Sequence, residues 1–191
     1  MALKASIQDR YSVEEYLAHE DESESRSEFI AGRVFAMAGG TDSHIQISFN
    51  VTKLLAEKLR GRCRAYQSEM KVRVEQADAF YYPDVTLVCG EHKFYKGRRD
   101  AVENPVLLVE VLSESTKDYD KNDKFFSYQT IESFREYLLI SQHKYAVQQY
   151  IRQPDGNWKI KATIGFDSAV YLESIEVEIK TSDIYDLVEI Q

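Results

Sequence analysis

The sequence has few of the features that divide a chain into domains or anchor it in a membrane. Its 191 residues include three prolines, and we find no internal repeat, Ser/Gly-rich linker or low-complexity run. We therefore predict one domain over residues 1–191. No apolar run approaches the roughly 20 residues of a membrane span, and the N-terminus lacks the apolar region of a signal peptide. We expect a cytoplasmic protein with no membrane partner.

Cysteine and positive charge are also scarce. Cys63 and Cys89 lack the spacing of metal ligands, so we expect reduced thiols, as in most intracellular proteins. The net charge of −8 counts against general nucleic-acid binding, which depends on neutralising phosphates. It does not exclude a nuclease, because a site built from carboxylates is acidic until cations bind. The basic stretch 91–99 could contact phosphate, although a solvated surface loop is the more frequent role of such a cluster.

Local signals predict alternating helices and strands. Ser12 and Glu15 form a capping box that starts a helix. Apolar residues recur at helical spacing over 42–60, with Asp42 as the expected cap and Gly61 as the stop. A third helix is expected after Ser115 or Thr116. Strands are predicted at 27–30, 33–38, 63–75, 83–89, 105–112, 136–141, 144–152 and 158–165. This order predicts an α/β domain with a mixed central sheet flanked by helices.

The two most uniformly apolar runs each carry a carboxylate. Asp84 follows Pro83 at the start of one run, and Glu110 lies near the end of the other. Both runs are typical of central strands buried on both faces. An unpaired buried carboxylate is very costly, so these groups are expected to be neutralised, paired or bound to a metal. Two carboxylates on neighbouring strands predict a site for Mg²⁺ or Mn²⁺, ions that prefer oxygen ligands.

The following helix supplies candidate cations. Because its lysines are spaced by three and four residues, they are expected on one helix face, although a solvated face is the usual role of such a stripe. One of them would orient the attacking water or neutralise developing charge on the phosphate. The stripe consists of Lys117, Lys121, Lys124 and Tyr128.

Several segments together resemble the Uma-two family of the PD-(D/E)xK restriction-endonuclease-like superfamily. They are SEFIAGRVFAMAGGTDSH, YYPDVTLVC, NPVLLVEVLSESTKDYDKNDKFFSY and SFREYLLI, and the resemblance runs from about Ser12 to Ile140. It implies a restriction-endonuclease-like fold and an endonuclease that hydrolyses DNA with Mg²⁺ or Mn²⁺. It also implies a homodimer, because many nucleases of this superfamily cut both strands as dimers.

The resemblance also implies roles for individual residues. Asp84 and Glu110 match the motif acids, and Glu28 matches an additional acid, so the implied metal ligands are Glu28, Asp84 and Glu110. The lysine that normally lies two residues after the glutamate is replaced here by Leu112. The resemblance moves it to the next helix, where Lys124 matches best and Lys121 is second.

Some roles stay open at this point. His44 could contact phosphate, but a capping or surface role is the more frequent one. Tyr81 and Tyr82 could stack on bases, although aromatic residues at a strand start more often pack in a core. Besides the endonuclease, two other functions fit the sequence: a catalytically inactive nuclease-fold module that binds nucleic acid or a protein, and a metal-dependent hydrolase of another phosphate ester.

Overall fold

The computed structural model describes residues 10–113 and 117–190. None of the helices in these ranges is long and apolar enough to cross a membrane. The helical elements are α1 (Val13–Glu22), α2 (Asp42–Lys58), a 3₁₀ turn (Tyr95–Gly97), α3 (Lys117–Tyr119), a π-helical turn (Asp120–Lys124), α4 (Phe125–Tyr128) and α5 (Thr181–Ile184). The strands are β1 (Ser27–Ile30), β2 (Arg33–Ala36), β3 (Cys63–Gln67), β4 (Lys71–Val74), β5 (Ala79–Tyr81), β6 (Val85–Cys89), β7 (Ala101–Val102), β8 (Leu107–Leu112), β9 (Glu136–Ser141), β10 (Ala146–Arg152), β11 (Trp158–Ile164), β12 (Ala169–Leu172) and β13 (Val177–Lys180).

Six of the described strands form a mixed sheet in the order β11-β10-β9-β8-β6-β3. β8 and β9 run parallel, whereas the other neighbours in this sheet are antiparallel. The predicted α/β fold with a mixed sheet and flanking helices is therefore confirmed. β6 and β8 lie side by side in the interior of this sheet, so the strands associated with Asp84 and Glu110 are direct neighbours.

The two faces of this sheet pack against different helices. Val111 belongs to the core that includes Ile47 and Val51 of α2. Leu108 and Leu112, on alternate positions of β8, pack instead with Tyr128 of the segment 117–128. Because side chains alternate along a strand, Glu110 also faces this second segment. The alternation thus makes the Glu110 carboxylate face the helical segment that carries the candidate lysines.

A second sheet has the order β2-β1-β5-β4-β7 within the described residues. The sequence analysis predicted one strand over 63–75. The structure has two strands there, β3 and β4, and they belong to different sheets. The turn occurs at Met70, whose N–H donates to the Gln67 carbonyl at 3.1 Å. The partial alternation of apolar residues continues across this turn and conceals it. The β12–β13 hairpin was also missed by the sequence analysis.

The helix caps agree with the sequence in part. Ser12 and Glu15 form the predicted capping box of α1. At α2 the prediction of Asp42 is wrong, because the Thr41 hydroxyl accepts the His44 N–H and Asp42 lies in the first turn. Gly61 has a φ of +79° just beyond this helix, a conformation that favours glycine. The proposed caps Ser115 and Thr116 lie outside the described residues.

The expectation of two reduced thiols is wrong. Cys63 and Cys89 form a disulfide, because the antiparallel register of β3 and β6 places the two residues directly opposite each other. Their sequence spacing contains no sign of this pairing, which depends on the register of two strands 26 residues apart. The disulfide ties the edge strand β3 to β6.

Candidate active site

The Lys124 ammonium lies at the centre of a buried cluster of carboxylates. Its Nζ is 2.9 Å from Glu28 Oε1, 3.2 Å from Glu110 Oε1 and 3.3 Å from Asp120 Oδ1. All four side chains are at most 7% exposed. Three negative charges therefore share one positive charge in a part of the protein that water barely reaches. Removing charges from water is costly, and the contacts of the ammonium with all three acids offset part of that cost.

Three different elements bring these groups together. Glu28 lies on β1 of the smaller sheet and Glu110 on β8 of the larger one. Asp120 and Lys124 are the first and last residues of the π-helical turn. Such turns occur frequently at functional sites. Lys121, by contrast, is exposed to solvent, so the two candidate lysines point in different directions and only Lys124 reaches the acids.

Tyrosine hydroxyls complete the shell around the acids. The Tyr128 hydroxyl donates to Glu110 Oε1 at 3.2 Å, and the Tyr119 hydroxyl donates to Glu28 Oε2 at 3.4 Å. The Tyr82 N–H donates to the other oxygen of Glu28 at 3.3 Å. Burial raises the pKa of both Tyr119 and Tyr128, so these hydroxyls keep their protons and remain donors.

Burial and crowding alter the protonation of the cluster. Burial raises the pKa of Glu110 well above its ordinary value, and although Lys124 lowers it, the Asp120 charge raises it further. Burial lowers the pKa of Lys124, but the surrounding carboxylates outweigh this effect and raise it well above its ordinary value. Lys124 therefore stays charged, and burial beside other acids favours the protonated form of Glu110.

Asp84 lies beside this cluster and is held by two donors. Val85 of β6 pairs with Val109 of β8 in the antiparallel register. Asp84 comes one residue before Val85, so it lies opposite Glu110, one residue after Val109. Its Oδ2 accepts the Val111 N–H at 2.7 Å, and its Oδ1 is 2.8 Å from His44 Nε2. The charge of Asp84 contributes to the raised pKa of Glu110. The neighbouring strands thus bring the two motif acids to one end of the β6–β8 pair.

His44 has a different environment from the capping or surface position favoured by the sequence analysis. Its side chain is 21% exposed and contacts Asp84. Burial lowers the pKa of His44, but the hydrogen bond and charge of Asp84 more than offset this effect, so the pKa is raised. The charges of Asp120 and Lys124 also act on this pKa, which places His44 at the same site.

The donor set of the site suits a hard divalent cation. Asp84, Glu110 and Glu28 supply only carboxylate oxygens, which Mg²⁺ and Mn²⁺ prefer. The acids outnumber the single Lys124 ammonium, so a divalent cation would compensate the remaining negative charge. Across residues 10–113 and 117–190, however, no group of three or more acidic, histidine or cysteine side chains already has an arrangement that could hold a metal. The carboxylates of Glu28, Asp84 and Glu110 are therefore suitable ligands for Mg²⁺ or Mn²⁺ by their chemistry, but in this structure their oxygens contact donors of the protein.

Other candidate residues have structural contacts. Tyr81 and Tyr82 are at most 3% exposed, so they pack in the protein and present no ring for stacking on bases. In the basic stretch 91–99, Lys96 pairs with Glu14 and Arg98 pairs with Asp21. These two cations fasten the 3₁₀ turn to α1. Their charges are therefore already compensated by the protein.

Sequence reasoning missed Asp120 entirely. Asp120 lies four residues before Lys124, a spacing that places side chains on the same side of a helix. This spacing could have identified it as a partner of the lysine. The contact between His44 and Asp84 left no such local signal, because the two residues are 40 positions apart.

The fold places the protein among mixed α/β proteins whose sheet is flanked by helices. A crystal structure of "a putative nuclease belonging to DUF820" from Anabaena variabilis has the same fold, with a TM-score of 0.75 and 16% identity over 94% of this chain and 99% of that one. Residues 13–184 match the Uma2 family, described as "Putative restriction endonuclease", and the chain belongs to this family. The resemblance to the Uma-two family is thereby confirmed.

Two Synechocystis proteins are similar in sequence. "Uncharacterized protein sll1609" is 34% identical over 164 residues, which cover 85% of this chain and 93% of the relative. "Uncharacterized protein slr1290" is 32% identical over 152 residues, which cover 79% of each chain.

Proposed function

We propose that the protein is a metal-dependent endonuclease that hydrolyses phosphodiester bonds of DNA. The observation that carries this proposal is the contact of Lys124 with Glu110, next to Asp84, which directly precedes the neighbouring strand β6. A protein that needs these residues only for folding gains little from them, because a buried cluster of charges is usually no more stabilising than apolar residues of similar volume.

In this proposal Asp84, Glu110 and Glu28 hold Mg²⁺ or Mn²⁺. The bound ion makes a coordinated water more acidic and stabilises charge that develops on the phosphate. Lys124, which stays protonated, orients the attacking water or stabilises charge in the transition state. Tyr128 fixes the Glu110 carboxylate by donating to it. Lys121 is exposed and contributes to substrate affinity at most.

The test is nicking of a supercoiled plasmid with Mg²⁺, with Mn²⁺ and with EDTA. We expect nicking with either metal and none with EDTA. Lys124→Ala should lower the single-turnover rate at saturating Mn²⁺ by ~10²-fold or more, the usual scale for such groups. Lys121→Ala is the matched control on the same helical segment and should change the rate little. Equal losses in the two variants would contradict the role of Lys124.

A second candidate function is a catalytically inactive nuclease-fold module that binds nucleic acid or a protein. One observation favours it: Glu28, Glu110 and Asp120 all direct an oxygen at the Lys124 ammonium, so the protein itself supplies a cation to these acids. Such a module would bind DNA or a partner but leave the plasmid intact with every metal. Thermal unfolding separates the two functions further, since a metal bound only by the native state stabilises it by roughly 2.7 kcal/mol at a hundredfold excess over Kd. Asp84→Asn should remove most of that gain if Asp84 is a ligand.

A further inference from the structure

The His44 side chain has a defined place beside Asp84. His44 Nε2 lies 2.8 Å from Asp84 Oδ1, and both side chains are mostly buried. Because an ionised carboxylate only accepts hydrogen bonds, we assign the proton of this contact to Nε2. Together with the Val111 N–H on Oδ2, this donor fixes both oxygens of Asp84.

The chain around His44 is built to hold the imidazole in place. The Thr41 hydroxyl accepts the His44 N–H at 3.3 Å and donates to the buried Gln142 Oε1 at 2.6 Å. These contacts anchor the start of α2. Gly40 leaves room for the ring, because a Cβ at this position would lie 2.9 Å from His44 Cδ2 and 3.2 Å from Cγ. Gly39, one residue earlier, has nothing within 4 Å of the same added atom.

We propose that His44 is a positioning residue that holds the Asp84 carboxylate in the orientation needed to bind the divalent cation. This inference rests on the proposed function. A ligating carboxylate that is itself hydrogen-bonded is oriented before the ion arrives, and loss of such a partner typically lowers metal affinity. Gly40 takes part indirectly, because its missing side chain lets the imidazole reach Asp84.

The experiment measures Mg²⁺ and Mn²⁺ affinity of the full chain by isothermal titration calorimetry. His44→Ala should weaken the binding of both ions by ~10–100-fold, the usual effect of losing such a partner. His44→Gln should recover most of the affinity, since its amide nitrogen can donate to Asp84. His143→Ala, at an exposed histidine, is the control and should bind as the wild type does.

The glycines provide a second, independent test. Gly40→Ala should push the ring away from Asp84 and lower affinity, whereas Gly39→Ala should not. In a protein that already carries His44→Ala, adding Gly40→Ala should have no further effect, because there is no ring to displace. If the losses of metal affinity from Gly40→Ala and His44→Ala were additive, Gly40 would not act through the His44 ring, and its indirect role would be refuted. Urea unfolding in EDTA controls for the stability of each variant.

Three results separate the possible failures. A wild type that binds neither ion and does not nick DNA refutes the proposed function and this role together. A wild type that binds metal, with unchanged affinity in His44→Ala, overturns only the role of His44. A loss in His44→Ala that is much larger for Mn²⁺ than for Mg²⁺ would also overturn it, because imidazole ligation favours the transition metal and would make His44 a direct ligand.

Discussion

Replacing Lys124 by methionine should destabilise the protein strongly. The substitution keeps most of the side-chain volume but leaves Glu28, Glu110 and Asp120 without the cation that all three contact at 2.9–3.3 Å. Removing one partner of a buried ion pair costs about 3–5 kcal/mol. Because three acids lose their partner here, we expect a loss near the upper end of this range at pH 8.

The loss should depend on pH in a defined direction. Without Lys124, which lowers the pKa of Glu110, that pKa rises further above its value in the unfolded chain. A raised folded pKa stabilises the native state below the unfolded pKa, which is about 4.3 for glutamate. This stabilisation is lost as pH rises through the folded pKa, at about 1.4 kcal/mol per pH unit for one proton. As pH rises, the free energy of unfolding of Lys124→Met should therefore continue to fall to a higher pH than that of the wild type.

Urea unfolding followed by circular dichroism between pH 5 and pH 8, with EDTA present, measures both effects. Lys121→Met is the matched control, since this exposed residue should change stability by no more than about 0.5 kcal/mol. Adding Glu110→Gln to Lys124→Met should restore part of the loss by removing one uncompensated charge. A Lys124→Met protein as stable as the wild type at pH 8 would refute this account of the cluster.

Two other predictions concern the disulfide and Asp120. Replacing both Cys63 and Cys89 by alanine should lower the free energy of unfolding by about 3.5 kcal/mol, the loop-closure value for a separation of 26 residues; equal urea midpoints for this variant and the oxidised wild type would contradict it. Asp120→Asn should lower the pKa of Glu110, because the Asp120 charge contributes to raising it. A carboxyl carbon titration by NMR measures this pKa, and an unchanged value would show that the two acids are not coupled.

The larger elements of the fold could be predicted because they carry strong local signals. The capping box of α1 and the apolar runs of β6 and β8 are visible in the sequence alone. The division of 63–75 into two strands was not predictable, because the residues on both sides of the turn keep the apolar character of strands. The β12–β13 hairpin escaped for a similar reason, since its short strands are flanked by ordinary polar residues.

The acids of the site were easier to find than their partners. Glu110 stands out as a carboxylate in an apolar run, and the structure brings it to Glu28 and Lys124. The contact of His44 with Asp84 depends on how α2 lies against β6, which no local pattern encodes. The pairing of Cys63 with Cys89 likewise depends on strand register. Such features follow from tertiary packing rather than from residue spacing.

The position of Lys124 on a helical segment makes the charge balance of the site depend on aromatic packing elsewhere. The next residue, Phe125, places its ring 4.5 Å from that of Tyr150 and 5.0 Å from that of Trp158. A lysine on β8 itself would be fixed by the hydrogen bonds of the sheet, but position 112 holds an apolar leucine. The aromatic contacts of Phe125 therefore help to hold Lys124 next to Glu28 and Glu110. If these contacts opened, Lys124 and Asp120 would leave with the segment, and Glu28 and Glu110 would lose the cation that they share.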